Sequence, residues 1–285
     1  MSDARMSCLH DAPQDALHDR LAAARSLLFV PGHRPDRFDK AAASGADLAV
    51  IDLEDAVAPE DKEQAREHAA AWLARGNQAV VRINAPGTPW SEADLKTAAG
   101  HGAPVMVPKA EDPAVLADLA SRTAGRCALL VLIETALGVD RAHAVCAVPG
   151  VVRAAFGNVD LSAQLGVAHD DHLALTAARS RVVIASAAAG IAPPVDGVTT
   201  AVRDADALAA DLTHARRLGY TAKLCIHPSQ LPPVAEAFAP SQGELDWARQ
   251  VLNAGEAVTT LNGQMVDKPV LDRARRLLAR ANRKG

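Results

Sequence analysis

Short aliphatic runs punctuate this chain at 26–31, 48–53, 79–83, 105–108, 128–133, 151–156, 195–199 and 222–226. They are continuous rather than alternating in polarity, the pattern of strands buried on both faces. Between them lie longer stretches rich in Ala, Leu and charge at helical spacing. One, 59–67, opens with Pro59 and acids, a good helix start. Another, 173–190, is Ala-rich and stops at Gly190, a residue suited to a helix end. Eight strand–helix units in roughly 200 residues predict an α/β fold, a (β/α)8 TIM barrel. A doubly wound sheet is the competitor, but no G-x-G-x-x-G turn follows the first run. Residues 1–24 read as a polar, loose or helical N-terminal arm, and 25–240 as the catalytic barrel. Residues 241–285 read as a C-terminal helical extension or lid, with helical stretches at 244–257 and 266–283 around a Gly/Asn turn.

In such a barrel chemistry collects at the C-terminal ends of the strands. The second run ends in Asp52, Glu54 and Asp55, the third in Arg82 and Asn84, and the fourth in Lys109 and Glu111. The fifth ends in Glu134, the sixth opens into Gly157-Asn-Val-Asp160, and the eighth ends at His227. Polar groups thus converge on one mouth. Glu134 and Asp160, on neighbouring strand ends, repel each other unless a hard cation lies between them. Mg2+ suits that role, because it takes one or two carboxylates and leaves other positions to water and substrate oxygens. Arg82 suits an anionic substrate.

Composition narrows the partners. With 49% hydrophobic but 3% aromatic residues, the core is built from aliphatic side chains. A net charge of −4 gives no electrostatic case for nucleic acid. No apolar run has the roughly 18 residues of a membrane span, and the acid-bearing N-terminus lacks the apolar core of a signal peptide. Cys8, Cys127, Cys146 and Cys225 form no C-x-x-C pair, a reduced pattern that predicts a cytoplasmic protein.

The segments 25–32 (RSLLFVPG), 51–57 (IDLEDAV), 81–84 (VRIN), 107–109 (VPK), Ile133-Glu134, 156–161 (FGNVDL), 223–230 (KLCIHPSQ) and 263–269 (GQMVDKP) run in one order along the chain. Together they resemble the HpcH/HpaI aldolase/citrate lyase superfamily, in the citrate lyase β-subunit-like branch related to malyl-CoA and citramalyl-CoA lyases. The resemblance implies a Mg2+-dependent lyase cleaving a 3-hydroxyacyl-CoA thioester to a 2-oxo acid and acetyl-CoA. It implies that Glu134 and Asp160 ligate the metal. Glu134 and the backbone around Gly157, Asn158 and Val159 would hold the oxo acid, and Arg82 would stabilise the thioester enolate. It places Asp52 and Glu54 behind metal-bound waters. Phe29, Pro31, Arg34 and Lys40 would lie along the CoA portion, with Arg37 beside them. Asp267 would act as acid/base, delivered by the C-terminal lid to a neighbouring subunit of a homo-oligomer, most simply a trimer.

Other readings compete. A citrate lyase β subunit would act on a carrier-protein citryl thioester, and a malate synthase or thioesterase type would act on the thioester itself. A non-enzymatic barrel is weakest, since Arg82, Glu134 and Asp160 are all present. Where the family pattern has an acid, this chain has Gln164. His169-Asp-Asp-His172 reads as a loop capping the helix near Leu173 rather than a metal cluster. His227 reads as structural. Lys109 raises a Schiff-base aldolase, which a metal pair beside it disfavours, and no G-x-S-x-G turn supports a serine nucleophile.

Overall fold

Eight parallel strands close into a barrel, in sequence order, with β8 pairing back to β1. The computed structural model describes residues 12–123, 125–254, 259–261 and 264–282. The strands are β1 (Ser26–Pro31), β2 (Leu48–Asp52), β3 (Val80–Arg82), β4 (Val105–Val107), β5 (Leu129–Ile133), β6 (Val151–Phe156), β7 (Ala192–Asp196) and β8 (Ala222–Cys225). Every residue of β2, β5 and β6 is buried, because helices cover the outer wall and side chains fill the inside. The predicted TIM barrel is the observed fold.

The helices between strands are α2 (Phe38–Ala42), α3 (Lys62–Leu73), α4 (Ser91–Gly100), α5 (Pro113–Arg122), α6 (Ala136–Asp140), α7 (Ala142–Cys146), α8 (Asn158–Leu165), α9 (His172–Ala188) and α10 (Ala205–Leu218), after an N-terminal α1 (Ala12–Ala23). Local chemistry starts and stops them. Asp112 caps α5 with Pro113 in its first turn, and Asp204 caps α10. Gly219, at φ 106°, ends α10 in a conformation that costs a side-chain-bearing residue more.

Helix α1 packs on the barrel. Leu17, Leu21 and Ala24 join a core cluster with Leu27, Val50, Met106 and Leu224. Arg153, inside the apolar run of β6, is fully buried, and its guanidinium donates to Leu21 O (3.1 Å), Ala24 O (2.6 Å), Pro193 O and Thr221 Oγ1 (both 2.7 Å). These carbonyls at the end of α1 have no helical donor of their own, so one buried arginine ties α1 to β6, β7 and the start of β8.

The chain divides into two compact units, Met1–Val234 and Ala235–Gly285. Helix α11 (Leu231–Ala237) runs across the division. The second unit contains α12 (Gln242–Asn253), an antiparallel pair β9 (Thr259–Leu261) and β10 (Gln264–Val266), and α13 (Lys268–Asn282). Ala248, Val251, Val266, Leu271, Ala274 and Leu277 form its own core. The sequence reading had a simple turn where the β9–β10 pair stands. Among the described residues no helix is long and apolar enough to cross a membrane.

Candidate active site

The barrel rim gathers most of the residues expected there. β2 delivers Asp52, which is 2% exposed. Its carboxylate accepts both prongs of Arg82 from β3, Nε on Oδ1 and Nη2 on Oδ2, each at 2.7 Å. It also accepts the N–H groups of Glu54 (2.9 Å) and Ala56 (3.1 Å). Asp52 therefore spends its hydrogen-bonding capacity on Arg82 and its own loop. Expected behind metal-bound waters, Asp52 makes its protein hydrogen bonds to Arg82 and its own loop. Burial opposes charge on the Arg82 guanidinium, and the Asp52 hydrogen bonds outweigh it, so its pKa is raised. The guanidinium also lies 4.9 Å over the Phe29 ring. Phe29, expected along the CoA portion, is thus a platform for Arg82.

Glu54 is buried beside this pair. Its Oε1 accepts Lys109 Nζ at 3.0 Å. Its Oε2 lies 3.2 Å from Arg82 Nη1, but the geometry is that of an ion pair and Oε2 has no hydrogen-bond donor. Burial raises its pKa against the pull of Arg82. Buried Lys62 of α3 donates to the carbonyls of Leu53 (2.9 Å) and Glu54 (2.7 Å), fixing the loop from behind.

Glu134 follows β5 and is 4% exposed. Its Oε1 accepts the Lys109 N–H at 2.8 Å. Burial first, then the charges of Glu54 and Asp160, push its pKa up to about 8, against the Lys109 N–H and Arg82. Gly157 packs on it so closely that a Cβ there would stand 2.3 Å from Glu134 Cβ. The Gly157 N–H donates to Ile133 O at 2.9 Å. Expected to support a substrate carboxylate together with Asn158 and Val159, this N–H is instead taken by the strand, and Gly157 contributes by having no side chain. Asp160 is half-buried in the first turn of α8. In that turn the N–H groups of Asn158 and Val159 have no acceptor within the helix. The Asn158 side chain is buried; it donates to His169 O (3.2 Å) and Val198 O (3.1 Å) and accepts the Val198 N–H (3.0 Å).

The remaining expected residues lie apart from this cluster or serve the fold. Pro31 pairs with Asp52 in the β1–β2 register. Arg34 is ion-paired with Asp36 at 2.8 Å, and Lys40 stands exposed on α2. His227 caps the turn at 228–230 through Ser229. Asp171 caps α9, and His172 bonds Asp211 at 2.7 Å. Gln164 accepts the Ala136 N–H at 2.7 Å, tying α8 to α6. Lys109 is held as an ammonium: burial lowers its pKa, and the Glu54 contact more than reverses this, which disfavours a Schiff base. Asp267 belongs to the second unit, where its side chain accepts the Val270 N–H at 3.3 Å at the start of α13.

This donor set fits Mg2+. Both candidate ligands are carboxylates, and burial beside further acids leaves Glu134 short of positive charge. A family model described as HpcH/HpaI aldolase/citrate lyase matches residues 25–228.

The chain belongs to the HpcH/HpaI aldolase/citrate lyase family.

Among its relatives in that family is a citrate lyase subunit beta-like protein of Mycobacterium tuberculosis, 37% identical over 270 residues, covering 91% of this chain and 96% of the relative. A (3S)-malyl-CoA thioesterase of Cereibacter sphaeroides is 33% identical over 273 residues, covering 90% and 94%. The crystal structure of CitE from M. tuberculosis, in complex with magnesium, acetoacetate and coenzyme A, superposes with a TM-score of 0.77 at 37% identity. It covers 92% of this chain and 99% of that one.

Proposed function

We propose that this protein is a Mg2+-dependent carbon–carbon lyase that cleaves a 3-hydroxyacyl-CoA thioester, of the malyl, citramalyl or citryl type, into a 2-oxo acid and acetyl-CoA. The observation that carries the reading is the meeting of buried Glu134 and half-buried Asp160 with Arg82 on one rim. Glu134 and Asp160 would hold the cation, which would supply Lewis acidity toward the oxo acid. The N–H groups of Asn158 and Val159 orient the oxo acid's carboxylate at the positive end of α8. The CoA arm would approach along β1 and α2, past Pro31, Arg34 and Lys40, with Phe29 held beneath the Arg82 guanidinium. A base takes the proton from the 3-hydroxyl, and Asp267, supplied by a neighbouring subunit of a homo-oligomer, is the candidate. The electron pair of the breaking C–C bond moves onto the thioester, and Arg82, locked in place by Asp52, faces the enolate oxygen. Protonation of the enolate carbon gives the acetyl thioester. Arg82 meets a charge that grows only as the bond breaks, so it lowers the barrier rather than tightening ground-state binding.

The deciding assay presents purified protein and Mg2+ with malyl-CoA, citramalyl-CoA and citryl-CoA in turn. Glyoxylate, pyruvate or oxaloacetate respectively, appearing with acetyl-CoA, supports the lyase. The thioesterase name of one relative favours a second reading. Free CoA released without any oxo acid would establish that one instead. Silence toward every CoA ester, with turnover of a carrier-protein citryl thioester, would make the chain a citrate lyase β subunit.

Asp267 has two candidate roles that one substitution separates. As the start of α13 it caps a helix, and Asn caps as well as Asp, while Ala costs about 1 kcal/mol. We therefore expect Asp267→Asn to melt with the wild type yet lose turnover, and Asp267→Ala to lose both. An active Asp267→Asn protein removes Asp267 from the mechanism. In a homo-oligomer that shares the residue between subunits, mixing Asp267→Asn with Glu134→Gln chains restores activity.

A further inference from the structure

Lys109 is the one residue other than glycine, among those described, whose φ is positive, at 49°. The left-handed region costs an L-residue of this kind roughly 1–2 kcal/mol, and such strain collects where surrounding contacts over-determine it. Here two contacts do so. The Lys109 N–H donates to Glu134 Oε1 at 2.8 Å, and its Nζ reaches Glu54 Oε1 at 3.0 Å. One residue therefore holds two carboxylates of the rim at once, one by its main chain and one by its side chain. Beyond Lys109, the one cation paired with the Glu54 carboxylate among the described residues is Arg82, whose Nη1 lies 3.2 Å from Oε2 without hydrogen-bonding geometry. Arg82 itself is already engaged on both prongs by Asp52.

Resting on the reading of Glu134 and Asp160 as metal ligands, we propose that Lys109 is a positioning residue that keeps Glu54 off the cation. A catalytic Mg2+ site works by leaving coordination positions to water and substrate oxygens. Glu54 shares the rim with Glu134 and Asp160, and among the described residues no three such side chains stand close enough to hold a cation as they are placed. With Glu54 tethered, two remain for the cation and the other positions stay open. Freed from Lys109, Glu54 adds a third anionic ligand. The cation is then held more tightly and the oxo acid has fewer places to bind. The side chain of Lys109 is 44% exposed, so its removal opens no cavity in the core.

The test uses the full chain with Mn2+ in place of Mg2+, read by spin resonance and by water-proton relaxation, with no turnover required. Lys109→Met is expected to bind Mn2+ roughly tenfold more tightly, in line with the dependence of such affinities on ligand charge. It should also carry fewer exchangeable waters on the bound ion and bind pyruvate more weakly. Adding Glu54→Gln to Lys109→Met should restore the water count, and Lys109→Arg should behave as wild type. Lys109→Gly keeps the N–H and relaxes the backbone, so it repeats the measurement should the Met variant fold poorly. An unchanged water count in both Lys109→Met and Lys109→Gly overturns the proposal, even if Mn2+ binds more tightly, because a lost positive charge alone does that. A wild-type protein that binds no Mn2+, or a Glu134→Gln variant that binds it normally, overturns the metal reading itself.

Discussion

Glu134→Gln is expected to remove Mg2+ binding and turnover together while making the metal-free protein more stable at pH 8. The substitution is nearly isosteric, so the close packing on Gly157 and the hydrogen bond from the Lys109 N–H both survive. What disappears is the charge. The folded-state pKa of Glu134 lies at about 8, against an ordinary value of 4.5. Between those values the folded protein holds the proton more firmly than the unfolded chain does. The stability this group contributes is therefore fully present below about pH 4.5 and is lost as pH rises through 8. Gln is neutral throughout and escapes that loss. Its melting temperature without metal should exceed that of wild type at pH 8 and converge with it toward pH 5. Added Mg2+ should raise the wild-type melting temperature more at pH 8 than at pH 6 and leave the Gln variant unmoved. Asp160→Asn should likewise lose metal and turnover. A Glu134→Gln protein that keeps Mg2+-dependent turnover would place the cation elsewhere.

The barrel was legible because parallel strands covered on both faces must be apolar throughout, and β2, β5 and β6 are. Strand β7 begins three residues before the apolar run at 195–199, since Pro193 and Pro194 lie in its first half and prolines argue against a central strand. The β9–β10 pair carried a usable signal: Asn262-Gly263 stands between Thr259-Thr-Leu261 and Gln264-Met-Val266, the dipeptide most suited to a tight hairpin turn. Those two turn residues lie outside the described ones.

Strand ends alone mark Arg82, Glu134 and Asp160 as rim residues, because the barrel sends its strand termini to one rim. The division of labour within Asp52-Leu-Glu-Asp55 was not legible. Two acids two residues apart look alike in sequence, and only the packing shows that one clamps Arg82 while the other takes Lys109. Nor could a lysine announce a left-handed backbone, since Gly and Asn are the residues that normally mark one. The close approach of Gly157 to Glu134 depends on neighbouring strands, a contact 23 residues apart that no local pattern encodes.

Arg82→Lys is expected to lower kcat at least about a hundredfold, the scale seen when one donor to a developing oxyanion is lost. Lysine keeps the positive charge, and that choice matters. Deleting the charge outright would strand the buried Asp52 carboxylate, and breaking a buried pair of this kind costs about 3–5 kcal/mol of stability. Loss of activity would then report unfolding. A lysine can still neutralise Asp52, but it cannot meet both carboxylate oxygens in parallel as the guanidinium does, at 2.7 Å each. Nor can its ammonium lie flat over Phe29. The donor that should face the enolate is then free to turn toward Asp52, Glu54 or Asp55, all within reach of Arg82 in the structure. Asp52→Asn probes the same clamp from the other side. It leaves Arg82 in place but offers one acceptor oxygen where the carboxylate offered two, its NH2 facing the other guanidinium N–H, so one of the two bonds that aim Arg82 is lost and kcat should fall while the Mn2+ affinity at Glu134 and Asp160 holds. Steady-state kinetics decide the matter. A fall in kcat with KM little changed places Arg82 in the chemical step. A normal kcat with a raised KM would mean that Arg82 grips substrate and transition state alike, and the enolate would need another donor.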